Sequence, residues 1–118
     1  MSNGADQMPF LKGTVDMLVL KALSWGSMHG FAIALWLEDA SGGTLGLNDS
    51  VVYQILHRLE GRGFIEAQWK TTENNRRARF YKLTSAGRTH LAREADAWAR
   101  YSKSVSTVMS LTTRTADA

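Results

Sequence analysis

The chain has 118 residues, 44% hydrophobic and 21% charged, a balance that supports one modest hydrophobic core and excludes a disordered polymer. It has no cysteine, which excludes disulfides, thiolate chemistry and zinc-finger sites, and its formal charge of +3 does not by itself identify a partner. No apolar run approaches the roughly 20 residues that span a bilayer, and the opening MSNGADQMPF lacks the basic and apolar regions of a signal peptide, so a cytoplasmic location is expected.

Residues 1–9 read as a loose tail, with Pro9 marking the onset of order. From Thr14, expected as an N-cap, Val15, Leu18, Val19, Ala22 and Leu23 recur at helical spacing, and Met17 and Leu20 widen the apolar face. Ser24–Trp25–Gly26–Ser27 reads as a turn. A second helix is expected from about His29 to Ala40, ended by Ser41–Gly42–Gly43, where glycine supplies the left-handed cap. Asn48, Asp49 and Ser50 offer cap oxygens for a third helix, in which Val52, Ile55, Leu56 and Leu59 share one face. Ser50, Gln54, His57 and Gly61 fall opposite, flanked by Val51, Tyr53 and Arg58, and Gly63 ends the helix. Ile65, Ala67 and Trp69 then alternate with polar residues, as Tyr81 and Leu83 do with Phe80 and Lys82, giving two strands of a hairpin. Thr84 caps a long last helix whose Leu91, Ala95, Trp98, Ser102, Val105 and Met109 follow a near-heptad seam. Residues 112–118 read as a second loose tail.

The order helix, helix, helix, strand, strand, helix is mainly α with a small antiparallel β-hairpin. It predicts a winged helix-turn-helix over 10–84 and a C-terminal helix over 85–111 that serves dimerisation. The charge is concentrated where such a fold would meet nucleic acid: residues 58–88 sum to +5 and the remainder to −2. On the third helix, Gln54 suits bidentate pairing with adenine, Arg58 suits guanine or phosphate, and Ser50 and Tyr53 suit phosphate oxygens near the helix N-terminus. The expected DNA-binding residues are Ser50, Val51, Tyr53, Gln54, His57, Arg58, Lys70, Arg76, Arg77 and Arg79, the last three following an Asn74–Asn75 turn.

These stretches resemble the PadR-type transcriptional regulators over about Phe10 to Val105. The resemblance is carried by LKGTVDMLVLKAL (11–23), HGFAIALWLE (29–38), VVYQILHRLEGRGFIEAQW (51–69), RRARFYKLTSAGRTHL (76–91) and Trp98. The chain departs from the family at Asp49–Ser50, where a small residue and glycine are common, and at Asn74–Asn75, where the wing tip is often Gly-Gly. The resemblance implies a homodimer joined by the first and last helices, repression at a double-stranded operator with two-fold symmetry, and release by a small molecule. The seam independently points to dimerisation, because it extends past what so small a domain can cover; burial against the chain's own first helix is the alternative. The expected interface residues are Val15, Leu18, Val19, Leu91, Ala95, Trp98, Val105 and Met109. Trp98, with room beside Ala95 and Ala99, has two readings: interface packing, and stacking on a planar aromatic effector, which the resemblance places at the dimer centre.

His29, His57 and His90 are scattered, with no carboxylate at ligand spacing, so no metal and no cofactor are expected. No nucleophile–base–orienter set and no glycine-rich phosphate loop can be placed, which argues against an enzyme. Gly30 and Gly87, each at a helix start, read as points of close packing. A winged-helix adapter that binds ligand or protein without specific DNA affinity is the rival class.

Overall fold

The structure, a computed structural model, describes residues 13–114. The expected N-terminal tail with Pro9, and the chain end from 115, lie outside the described residues. Helix α1 spans Thr14–Ala22 and runs into a single 3-10 turn, Leu23–Trp25. Strand β1 is only Met28–His29, followed by α2 (Gly30–Ala40) and α3 (Asp49–Gly61). Strands β2 (Ile65–Thr71) and β3 (Arg77–Leu83) form the hairpin, and α4 (Ser85–Met109) closes the chain.

Three local differences from the sequence reading have simple causes. Gly13, not Thr14, occupies the cap of α1; its φ of 86° turns the chain, and its carbonyl accepts from Met17 N–H at 3.3 Å. The segment before α2 is a third strand, β1, pairing Met28 with Tyr81 and His29 with Phe80 in a sheet of order β1-β3-β2. Two residues are too few to show a period. His29 then caps α2 itself, its Nδ1 accepting from Ala32 N–H at 3.1 Å.

The helix ends follow their sequence signals. After α2, Gly42 N–H reaches the Asp39 carbonyl and Gly43 N–H the Glu38 carbonyl; after α3, Gly63 N–H reaches Glu60 and Phe64 N–H reaches Leu59. Both are Schellman closures that use left-handed glycine, at Gly42 (φ 66°) and Gly63 (φ 81°).

The core lies between α1, α2, α3 and the inner face of the sheet: Val19, Leu20, Leu23, Ile33, Leu37, Val52, Ile55, Leu56, Leu59, Ile65, Tyr81 and Leu83 are buried together. The predicted apolar face of α3 is buried in full, while Ser50, Gln54 and His57 stand exposed. The start of α4 is locked to the end of α3. Thr84 N–H donates to the Phe64 carbonyl (3.1 Å), its Oγ1 donates to the Gly63 carbonyl (2.7 Å) and accepts from Gly87 N–H (3.0 Å). Gly30 and Gly87 do sit at close approaches: a Cβ on Gly30 would meet the Tyr53 ring at 2.4 Å, and one on Gly87 the Phe64 carbonyl oxygen at 1.9 Å.

The fold corrects part of the expected interface. Val15 and Val19 are 7% and 0% exposed, because α1 turns that face onto its own core, so neither is available to a second chain. Leu18 and Leu91 are half-buried against the same core. Farther along α4 the domain no longer covers the helix. Trp98 and Val105 are 39% and 41% exposed, and Tyr101, Val108 and Met109 more so. The molecule is accordingly elongated, 66 × 39 × 21 Å.

Candidate nucleic-acid interface

Helix α3 starts where Asn48 Oδ1 accepts from Val51 N–H (3.0 Å) and from Ser50 Oγ (2.7 Å). That cap leaves Ser50 at the exposed first turn, one turn before Gln54 and two before His57. Val51 is half-buried and packs on the core, so only its outer edge faces away from the domain. The Tyr53 ring is exposed on one side and lies against the side-chain-free Gly30 on the other. Arg58 is held back: its Nη2 is 2.6 Å from Asp16 Oδ1 on α1.

The hairpin is a wing. Ile65–Leu83, Ala67–Tyr81, Trp69–Arg79 and Thr71–Arg77 face each other across one side of it, and Gln68–Phe80 and Lys70–Ala78 across the other. The tip is closed by Thr72 N–H to the Arg76 carbonyl (2.7 Å) and Asn75 N–H to the Thr72 carbonyl (2.9 Å). Asn75 takes φ of 60°, the left-handed conformation that asparagine tolerates best after glycine. Arg79 bridges from the wing to α3, its Nη2 2.9 Å from Glu60 Oε2. Burial raises the Tyr81 hydroxyl above its ordinary pKa, and the charge of Arg79 beside it opposes that rise.

The expected basic residues therefore separate into two groups. Arg58 and Arg79 are already paired within the chain. Lys70, Arg76 and Arg77 have no carboxylate within ion-pair distance among the described residues. Lys70 lies on the outer side of the hairpin, over the Phe80 ring at 5.3 Å, and Arg77 on the inner side, over Trp69 at 5.2 Å. Between wing, α3 and the start of α2 runs a groove of about 630 Å³, lined among others by Phe31, Tyr53, Trp69, Arg76, Arg77 and Arg79. Asp16, Glu60 and Trp69 are parts of this arrangement that sequence reasoning missed. The first two partners are 42 and 19 residues from their arginines, beyond any local pattern. Trp69 had a signal, its alternation with Ile65 and Ala67, but its exposure was not legible.

At the other end of the molecule, a hollow of about 230 Å³ opens between α1 and α4, lined by Gly13, Thr14, Met17, Glu94, Ala97, Trp98 and Tyr101. Ala97, one position before Trp98, lines this space, whereas Ala95 and Ala99, expected beside Trp98 at a dimer centre, are not among its lining residues.

Three helices with a wing braced on the third make a winged helix-turn-helix domain. Residues 19–93 match the transcriptional regulator PadR-like family, and the chain belongs to that family of DNA-binding regulators. Its fold is similar to that of a PadR-like transcriptional regulator from Bacillus cereus, with a TM-score of 0.75 at 20% identity, covering 86% of this chain and 96% of that one. A transcriptional regulator from Clostridium thermocellum gives a TM-score of 0.74 at 20% identity, covering 91% and 96%. In sequence, an uncharacterized 37.1 kDa protein in transposon TN4556 of Streptomyces fradiae is 42% identical over 87 residues. Those residues are 74% of this chain but only 24% of that protein, so the present chain spans about a quarter of its length. No helix among the described residues is long and apolar enough to cross a membrane.

Proposed function

We propose that the protein is a homodimeric repressor that reads a two-fold symmetric operator through α3 and grips its backbone with the wing. The observation that carries this reading is the pair Arg76–Arg77 at the wing tip, without a carboxylate partner among the described residues and on a groove shared with Tyr53 of α3, the helix that also exposes Ser50, Gln54 and His57. Uncompensated guanidinium groups gain most from phosphates, since each contact releases counterions. The exposed polar face of α3 offers hydrogen-bonding side chains to base edges. Dimerisation is supported by the apolar side of α4 that the described residues leave uncovered from Trp98 to Met109. A two-fold dimer would set two recognition helices on successive half-sites. The hollow beside Trp98 suits a small planar effector, which would act on the same region that joins the two chains.

Replacing Arg76 and Arg77 together by alanine is expected to weaken binding nearly equally on all duplexes and to lower the slope of log affinity against log salt by about 4 for the dimer, two contacts from each chain. Titrations at several salt concentrations measure this. An unchanged slope would take the wing off the contact surface, and wild-type binding that heparin abolishes on every duplex alike would favour the adapter class. Gln54→Ala is expected instead to change which sites are selected from a random pool, with roughly 1–3 kcal/mol lost at one base pair per half-site. Recovery of the same consensus by both proteins would remove Gln54 from the base-reading set.

A further inference from the structure

The inner side of the hairpin alternates aromatic and cationic side chains from its base toward its tip: Tyr81, Arg79, Trp69, Arg77. The register sets Trp69 directly across from Arg79, with Tyr81 on one side and Arg77 on the other. The Arg79 guanidinium lies 5.9 Å from the Tyr81 ring centre, and that of Arg77 lies 5.2 Å from the Trp69 ring centre. The two arginines differ in one respect. Arg79 is neutralised by Glu60 of α3, whereas Arg77 has no carboxylate partner among the described residues. Trp69, 56% exposed, adds little to the core; the feature its position does serve is the guanidinium above its ring.

We infer that this ladder divides the wing's arginines into a brace and a contact, with Trp69 as the positioning residue for the contact. Arg79 and Glu60 fix the angle of the wing on α3. Trp69 holds the Arg77 guanidinium at the groove without cancelling its charge. A carboxylate would orient Arg77 equally well but would neutralise it toward phosphate, while an indole face orients a cation and leaves its charge available. The inference rests on the DNA-binding reading and adds to it a residue that was not among the expected contacts.

The test is binding of a fluorescein-labelled, mixed-sequence duplex of roughly 30 base pairs, followed over a range of salt concentrations. Trp69→Leu is expected to weaken binding roughly two- to fivefold with the salt slope kept, and Trp69→Phe to recover most of the loss. In an Arg77→Ala background Trp69→Leu should cost nothing further. Arg77→Ala should lower the slope by about one phosphate contact per chain, and Arg79→Ala should leave it unchanged. Thermal unfolding of each variant by circular dichroism separates loss of fold from loss of contact. An equal cost of Trp69→Leu in both backgrounds would overturn the positioning role, because a purely structural residue does not depend on Arg77. A slope loss for Arg79→Ala as large as that for Arg77→Ala would overturn the brace. Wild-type protein that fails to bind the duplex at low salt would instead strike the DNA-binding reading itself, a result distinct from either.

Discussion

Gly87→Ala is expected to lower the stability of the fold by about 2–4 kcal/mol, more than any exposed substitution should. The added Cβ would stand 1.9 Å from the Phe64 carbonyl oxygen and 2.9 Å from its carbon. Both atoms are backbone, so no side-chain rotation relieves the contact. The α4 start must move away, and the bond from Thr84 N–H to that same carbonyl is lost or stretched along with the Thr84 hydroxyl bond to Gly63. The cost is thus an overpacking term plus a part-buried polar group left unpaired. Urea unfolding with an unchanged m-value would measure it. Gly61→Ala is the matched control, since nothing lies within 4 Å of its added Cβ and alanine favours a helix. A loss below about 1 kcal/mol for Gly87→Ala would mean that the α3–α4 junction yields more easily than its hydrogen bonds imply.

Val105→Asp is expected to convert the protein from dimer to monomer at micromolar concentration and to weaken binding to a symmetric duplex by about 10²–10⁴-fold. Val105 is 41% exposed midway along the uncovered part of α4, seven residues after Trp98. In a paired helix seam a carboxylate there would be buried without a partner, at a cost large compared with a marginal dimer's stability. In the lone chain it would simply meet water, so monomer stability should change little. Sedimentation velocity and a titration on symmetric and half-site duplexes check both parts. If Val105→Asp remains a dimer, the apolar side of α4 is not the seam.

Much of the fold was legible because the governing signals are local. The face of α3 is a four-residue stripe, Val52, Ile55, Leu56 and Leu59, and each left-handed turn falls on glycine or, at the tip, Asn75. What was not legible depends on contacts distant in sequence. Strand β1 exists only because β3 offers it a partner edge. Val15 and Val19 carry the same helical signal whether they cover their own core or a second chain, and only packing decides between the two. The ion pairs of Arg58 and Arg79 were hidden for the same reason. Charge counting registers an arginine but not the carboxylate that neutralises it.

The pairing of Arg58 with Asp16 leaves the exposed side of α3, at Ser50, Gln54 and His57, without an unpaired arginine or lysine. Search and reading would then draw on different groups. The wing would hold the protein near any duplex and let it slide, since phosphates look alike in every sequence. The helix would add almost nothing until a matching set of base edges appears, so it would not stall the protein at wrong sites. Substitutions in the wing would alter how quickly a site is found, and substitutions in α3 how long it is kept, with each adjustable while the other is left alone.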